Sequence, residues 1–320
     1  MVSIGFLSNK LTLRGTEIAM YDYADFNETL LKNKSVILTR DYNKIQGQFD
    51  VSSDAYAKFQ QRFTVEYYQS QQDIDNIVEK HNLTHLYIIK AGSWDGLAST
   101  KCKNLIHCVF VTSQPHGQVY SVISDEVNRL HNTNYPVVPH MIRNFETNEH
   151  LRRELSIPEN ATVFGRYGGI ETFDIDFVHT AVQNVLNARD DVYYIFMNTT
   201  VFYKHPRVIY MQGTTNMELK RKFINTSDAL LHARRGGETF GLTCGEFAMA
   251  LKPVITYEGS KERNHITILK DKAILYSNYD TVYKILYEFK RNMVNMNNNG
   301  YFSYSPGNVM NIFENVYISE

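Results

Sequence analysis

The chain has 320 residues, of which 43% are hydrophobic, and a formal net charge of −1. Lys and Arg are scattered rather than blocked, which excludes a bulk pull toward nucleic acid or acidic lipid. The length accommodates two ordinary hydrophobic cores. In the first half, strand-like runs at Val2–Leu7, Ser35–Leu38, Phe63–Glu66, His85–Ile89 and Leu105–Val111 alternate with helical stretches near Glu17–Leu31 and Asp73–Lys80. This rhythm predicts a mostly parallel sheet with helices on both faces. After Tyr135-Pro136-Val137-Val138-Pro139 the chain turns polar through Asn144–Glu149, which reads as a linker.

The rhythm then restarts. Strands are expected at Thr162–Gly165, Tyr193–Met197, Val208–Met211, Ala229–His232, Val254–Tyr257 and Ala273–Tyr276. Helices are expected at Phe177–Asn187, Met217–Asn225, Phe240–Ala250 and Thr281–Asn292. An Asn-rich break, Asn295–Gly300, precedes Ser305-Pro306-Gly307 and a last helix through Tyr317. The expected fold class is α/β: two doubly wound Rossmann-like domains, 1–143 and 144–320, with a cleft between them. The last helix, about 306–317, is expected to pack back on the first domain. Cys102, Cys108 and Cys244 form no CxxC pair, which argues against a zinc site and a disulfide framework, and each reads as a small buried side chain. Val2-Ser3-Ile4-Gly5-Phe6-Leu7 is too short and unflanked for a signal peptide. No apolar run reaches the roughly 18 residues that span a bilayer. A cytoplasmic protein with no transmembrane segment and no nucleic-acid partner is expected.

The densest chemistry lies in Leu231-His232-Ala233-Arg234-Arg235-Gly236-Gly237-Glu238-Thr239-Phe240-Gly241-Leu242-Thr243-Cys244-Gly245-Glu246. A strand feeds a glycine-bearing loop and then a helix, the arrangement by which open α/β sheets present a ligand site. The helix start offers backbone N–H groups and a positive dipole end to an anion. Glu238 and Glu246 stand eight positions apart, and eight helical residues rise about 12 Å. The two acids therefore suit different parts of one long ligand better than a shared metal ion. A nucleotide-sugar, with diphosphate in the middle, is such a ligand.

The block Glu238-x7-Glu246, with Phe240-Gly241-Leu242 inside it and Pro253-Val254-Ile255 after it, resembles the signature of GT-B glycosyltransferases of the retaining, family 4-like group. Arg14-Gly15-Thr16-Glu17 resembles that family's glycine loop. Val111-Thr112-Ser113-Gln114-Pro115-His116-Gly117 resembles its strand end with the active-site histidine. Val138-Pro139-His140-Met141 resembles its domain crossing, and Phe164-Gly165-Arg166 its Gly-Arg strand end. The resemblance implies a retaining, metal-independent transfer of a hexose from a nucleotide-diphosphate sugar to a glycan or other hydroxyl acceptor, with no cofactor. His116 and Glu238 would be catalytic. Gly15, Thr16, Arg166, Arg234, Thr239, Phe240, Gly241, Leu242, Thr243 and Glu246 would hold the donor, Glu246 through the ribose hydroxyls and Arg166 through the diphosphate. The chain departs from the family at Leu251-Lys252, where small residues are usual before Pro253-Val254, and, with more consequence, at the Lys usual five or six residues after the arginine, which is replaced by Glu171 and Thr172. The missing Lys motivates the alternative of an inactive module that binds nucleotide-sugar or glycan. A nucleotide-sugar epimerase is a third reading.

Each residue also has a plainer role to weigh. Glu246 could serve the helix dipole, Thr16 an N-cap, Arg166 a surface ion pair, and His116 a solvated loop. Phe240 reads as core in any case. His140 and His232 read as satisfied structural histidines. Asp73-Ile74-Asp75 and Asp174-Ile175-Asp176 match a metal-binding DxD triplet but fall at helix starts and read as caps. Trp94 lies in a loop after a strand, where stacking on a sugar competes with a core or rim position. There is no Walker A sequence, no Gly-x-Gly-x-x-Gly after a strand and no serine elbow.

Overall fold

A computed structural model describes residues 2–143, 147–291 and 299–319. Asn144 to Glu146 of the expected linker lie outside the described residues, as do 292–298, which hold the end of the helix expected to Asn292 and most of the Asn-rich break. The chain divides into two compact units, one of 1–141 with 304–320 and one of 142–303.

The first unit runs β1 (Ser3–Leu7), α1 (Gly15–Thr29), β2 (Lys34–Thr39), α2 (Tyr42–Ile45), α3 (Ser53–Arg62), β3 (Thr64–Tyr67), α4 (Gln71–His81), β4 (His85–Lys90), β5 (Lys103–Cys108), β6 (Val119–Val122) and α5 (Asp125–His131). Its six strands are all parallel, in the order β3-β2-β1-β4-β5-β6. All five residues of β1 are buried, as a parallel strand covered on both faces requires. Local signals set the helix ends. In α4, Ser70 and Asp73 form a capping box and Asn82 closes the helix in the left-handed conformation.

The second unit runs β7 (Thr162–Tyr167), α6 (Asp176–Ala188), β8 (Val192–Met197), β9 (Val208–Met211), α7 (Met217–Thr226), β10 (Ala229–His232), β11 (Gly237–Glu238), α8 (Leu242–Met249), β12 (Val254–Tyr257), β13 (Glu262–Arg263), α9 (Asn264–Leu269), β14 (Ala273–Tyr276) and α10 (Tyr279–Glu288). Its main sheet is parallel, in the order β14-β12-β10-β7-β8-β9. Numbered within the unit, this is the strand order of the first sheet, the 3-2-1-4-5-6 arrangement of doubly wound nucleotide-binding folds. The chain ends with α11 (Pro306–Phe313) and a π-helical turn, Glu314–Ile318, both in the first unit. There Phe313 and Tyr317 pack on Tyr87, and Tyr317 is hydrogen-bonded to Ser121. Among the described residues no helix is long and apolar enough to cross a membrane.

Some expected bounds shift for physical reasons. The strand expected at Leu105–Val111 ends at Cys108, because the Val109 amide makes the last ladder bond, to the Lys90 carbonyl, and the amides of Phe110 and Val111 then both turn to the Ala91 carbonyl. The helix expected from Phe240 starts at Leu242, since Gly241 has φ +88°, outside the helical region. The tail of the expected linker is bound to the second unit. Asn225 donates to the carbonyls of Thr147 and Glu149, and buried Arg152 bonds Asp228 at 3.0 Å. β6, α3 and α5 are additions to the expected elements.

Gly165 in β7 lets the end of α7 close on the sheet, because a Cβ there would sit 2.0 Å from Ser227 Oγ. Gly165→Ala is expected to cost about 2 kcal/mol. A urea melt checks this, and an unshifted midpoint would contradict so close an approach.

Candidate functional site

β7 and β10 are neighbours where the second sheet reverses its strand order, and loops leaving the carboxyl ends of such strands form the ligand crevice of open α/β folds. The loop after β10 carries Glu238, which is fixed on the two-residue strand β11 by parallel pairing with β13. Gly237 permits that pairing: its φ is +76°, and a Cβ would lie 2.0 Å from the Glu262 carbonyl oxygen. The chain turns at Gly241, where a Cβ would meet His265 at 2.9 Å, and enters α8. The amides of Leu242, Thr243 and Cys244 open this helix and have no carbonyl one turn back to bond. Thr239 and Phe240 are buried, and Tyr301 donates to the Phe240 carbonyl at 2.8 Å. This stretch therefore exposes main-chain groups rather than side chains, with Phe240 in the core.

Glu238 is held from two sides. His232 Nε2 lies 3.2 Å from Oε1, and Arg234 Nη1 lies 3.0 Å from Oε2. Burial pushes its carboxyl up, but the His232 hydrogen bond and the charge of Arg234 outweigh it and hold the pKa at about 2. Glu238 is thus a permanent anion. His232 in turn bonds Thr256 Oγ1 at 2.8 Å, and Thr256 bonds His265 Nε2 at 2.9 Å. A carboxylate only accepts, so with neutral imidazoles each proton points toward Glu238: His265 donates to Thr256, Thr256 to His232, and His232 to the acid. His232 is therefore more than the satisfied structural histidine expected of it, since it orients Glu238. Its place at a strand end before the loop was the available signal.

Glu246 lies in the second turn of α8, past the first-turn position that the helix dipole favours. Its Oε1 accepts from Lys220 Nζ at 2.6 Å and its Oε2 from the Tyr167 hydroxyl. The Lys220 ammonium also sits 4.8 Å from the Tyr167 ring centre. Each carboxylate oxygen keeps a lone pair, so the acid can still receive two ligand hydroxyls. Tyr167 and Lys220 come from β7 and α7, and no sequence motif marks either.

Arg166 is buried, so a surface ion pair is ruled out. Its four Nη protons go to Asn198 O, Thr199 Oγ1, Gly169 O and Thr172 Oγ1. These bonds tie together the loops after β7 and β8, so Arg166 offers a ligand charge rather than hydrogen bonds. Burial lowers its pKa to about 10, against the attraction of Glu238, and it remains cationic at neutral pH.

Gly15, Thr16 and His116 belong to the first unit. Gly15 opens α1 with Arg14 as N-cap residue, so Thr16 stands inside the first turn rather than capping it. Its hydroxyl donates to Glu17 at 3.0 Å. Buried Glu17, which the sequence reading passed over, also accepts from Ser8 and Thr12 and so closes the loop after β1. His116 is half-buried and well contacted rather than solvated: Nδ1 bonds the Gln114 carbonyl at 2.7 Å, and the ring lies edge-on to Trp94 at 4.9 Å. Trp94 itself is exposed rather than in the core. Of the two Asp triplets, only Asp73 serves a cap. Asp75 accepts from Ser99 and Thr100, and Asp174 from the Arg235 amide at 2.7 Å.

The buried histidines make stability pH-dependent. Burial lowers His265 and His107 from 6.5 to about 3. Once unfolded, each takes a proton below about 6.5, which the folded chain refuses until about pH 3. Stability is therefore full above about 6.5 and falls as pH drops toward 3, by up to about 1.4 kcal/mol per pH unit for each group. Glu238 adds to the loss below about 4.5, and Glu17, whose pKa burial raises, opposes it. Denaturant melts from pH 7 to 4 should show this decline, with a shallower slope for His265→Gln. Equal slopes would refute a buried neutral imidazole.

No family model matches the sequence, and no curated protein matches it. The fold does match solved structures over nearly the whole chain. A glycosyltransferase from Rickettsia africae ESF-5 is similar with a TM-score of 0.69 at 12% identity, covering 100% of this chain and 99% of that one. Anabaena Alr3699/HepE, solved with UDP and glucose, has a TM-score of 0.71 at 12% identity, covering 99% and 100%. WaaG, a glycosyltransferase involved in lipopolysaccharide biosynthesis, has a TM-score of 0.69 at 10% identity, covering 98% and 100%. The fold is that of GT-B glycosyltransferases.

Proposed function

We propose that the chain is a glycosyltransferase that moves a hexose from a nucleoside-diphosphate sugar to an acceptor hydroxyl, with retained configuration and without a metal ion. The observation that carries this reading is the α8 entrance, where the first-turn amides, without a hydrogen-bond partner among the described residues, lie between a permanently ionised Glu238 and a Glu246 with lone pairs to spare. A diphosphate suits the amides and the dipole, ribose hydroxyls suit Glu246, and a sugar building positive charge at its anomeric carbon suits Glu238. That Anabaena HepE was solved with UDP-glucose, and S. aureus MnaA with UDP, supports the ligand class.

In the proposed reaction the bond from C1 to the phosphate oxygen breaks and one from C1 to the acceptor oxygen forms on the same face. The leaving phosphate oxygen takes the acceptor's proton, so the products are a glycoside and a nucleoside diphosphate. No protein nucleophile is required. Metal independence is supported by the first Asp triplet, whose Asp75 accepts three hydrogen bonds from Ser99 and Thr100.

One observation favours the inactive binding module instead. Arg166 has spent its Nη protons, and Glu171 and Thr172 stand where a phosphate-binding Lys is expected. A thermal-shift panel of UDP-, GDP- and ADP-sugars, followed by product analysis, separates these readings. A donor at 100 times its Kd stabilises by about 2.7 kcal/mol. Consumption that depends on an acceptor supports transfer. Binding without consumption supports the module, and conversion of donor alone supports an epimerase. If no nucleotide-sugar binds, the transferase and epimerase readings fail, and of the module only glycan binding is left.

A further inference from the structure

The geometry points to a saccharide-binding platform in the first unit, built on the face of Trp94. This is the chain's one tryptophan. It is 49% exposed, although indole is costly to leave in water. Its indole N–H has no partner among the described residues.

The loop that presents the ring is fixed. The Trp94 amide donates to Gln114 Oε1 at 2.9 Å. Tyr120 donates to the Gly92 carbonyl at 2.7 Å, and the Val111 amide to Ala91 at 2.8 Å. Gly92 has φ +131°, and a Cβ there would lie 1.7 Å from the Val111 oxygen, so the loop passes where only glycine fits. Asp95 Oδ1 accepts from the Leu97 amide at 3.2 Å and from Lys90. An exposed aromatic on a preorganised loop binds without the ordering cost that a loose one would carry. The loop leaves the carboxyl end of β4, which pairs with β1 where the first sheet reverses its order. Ligands of doubly wound sheets bind at that position.

The polar groups around the ring define the ligand class. His116 stands edge-on to the indole, and its Nδ1–H donates to Gln114. Its Nε2 is therefore the acceptor for the Lys90 ammonium at 3.3 Å. The Lys90 side chain is 8% exposed, and its ammonium also pairs with Asp95. Asp95 Oδ2 has no partner among the described residues, and the side chain is 34% exposed. A pyranose has an apolar face of C–H bonds and a rim of hydroxyls. The Lys90 ammonium lies over the Trp94 ring, 5.8 Å from its centre, and the exposed part of the indole takes the first, while the indole N–H and Asp95 Oδ2 supply a donor and an acceptor for the second. A nucleotide fits worse, because its phosphates would meet the free carboxylate oxygen. That this sugar is the acceptor of a transfer rests on the function proposed above; the binding itself does not.

Because no second tryptophan contributes, indole fluorescence reads this site directly. Maltotriose, cellotriose and chitotriose are each titrated into the full-length protein while its emission is followed. At least one is expected to give a saturable change with Kd on the order of 1 mM. Asp95→Asn, shown folded by circular dichroism, should weaken it at least about tenfold, since a charged acceptor is lost. Saturation-transfer NMR on Trp94→Phe should show reduced sugar contact. Glu246→Ala should leave the fluorescence response intact, which distinguishes failure here from failure of the donor site. Emission unchanged by all three trisaccharides would overturn the platform. So would an Asp95→Asn response equal to that of the parent protein, or saturation by UDP in place of the sugars.

Discussion

Glu246→Ala is expected to weaken nucleoside-diphosphate binding by about 100-fold or more and to destabilise the second unit at the same time. The binding loss follows from two charge-assisted hydrogen bonds, each worth about 1.5 kcal/mol or more. The stability loss has a separate cause. Glu246 neutralises Lys220, whose side chain is only 9% exposed, and a buried charge stripped of its partner costs about 3 kcal/mol. Glu246→Gln separates the two effects, because it keeps the shape and one acceptor oxygen for Lys220. Calorimetric titration with UDP and parallel urea melts provide both numbers. If Glu246→Ala binds UDP as tightly as the parent, the ribose role is wrong, whatever happens to stability.

Glu238→Gln is expected to act on turnover instead, lowering kcat by about 100- to 1,000-fold with little change in KM. The reason lies in its surroundings. His232 and Arg234 hold Glu238 ionised at every physiological pH, so its charge is fully present when positive charge develops on the sugar. A glutamine keeps the volume and a hydrogen bond but loses that charge. Steady-state kinetics with saturating acceptor check this, since an interaction made only in the transition state lowers kcat and kcat/KM together. A rise in KM at unchanged kcat would instead make Glu238 a ground-state contact for the donor.

The sequence carried the fold well where local signals are strong. Val208–Met211, Ala229–His232, Val254–Tyr257 and Ala273–Tyr276 are strands with the bounds that their apolar runs predict. Short elements with few apolar residues were not visible. α5 offers only Val127 and Leu130, and β6 is four residues long. The paired acids of the site were legible because both lie on one short stretch with a turn glycine, Gly241, between them. Their partners were not, since Tyr167 and Lys220 reach Glu246 across 79 and 26 residues of chain. Such pairings follow from the strand order of the sheet rather than from spacing. His232 was seen, but its direction was not. Only the packed structure turns its two nitrogens toward Glu238 and Thr256.

The proposed function requires a nucleoside diphosphate to seat on the amides that open α8. Amide spectra of isotope-labelled protein, recorded while UDP is added, test it most directly. Shifts should concentrate at Gly241, Leu242, Thr243 and Cys244, with Glu246 following. UDP-induced shifts that bypass α8 and cluster elsewhere would contradict the account.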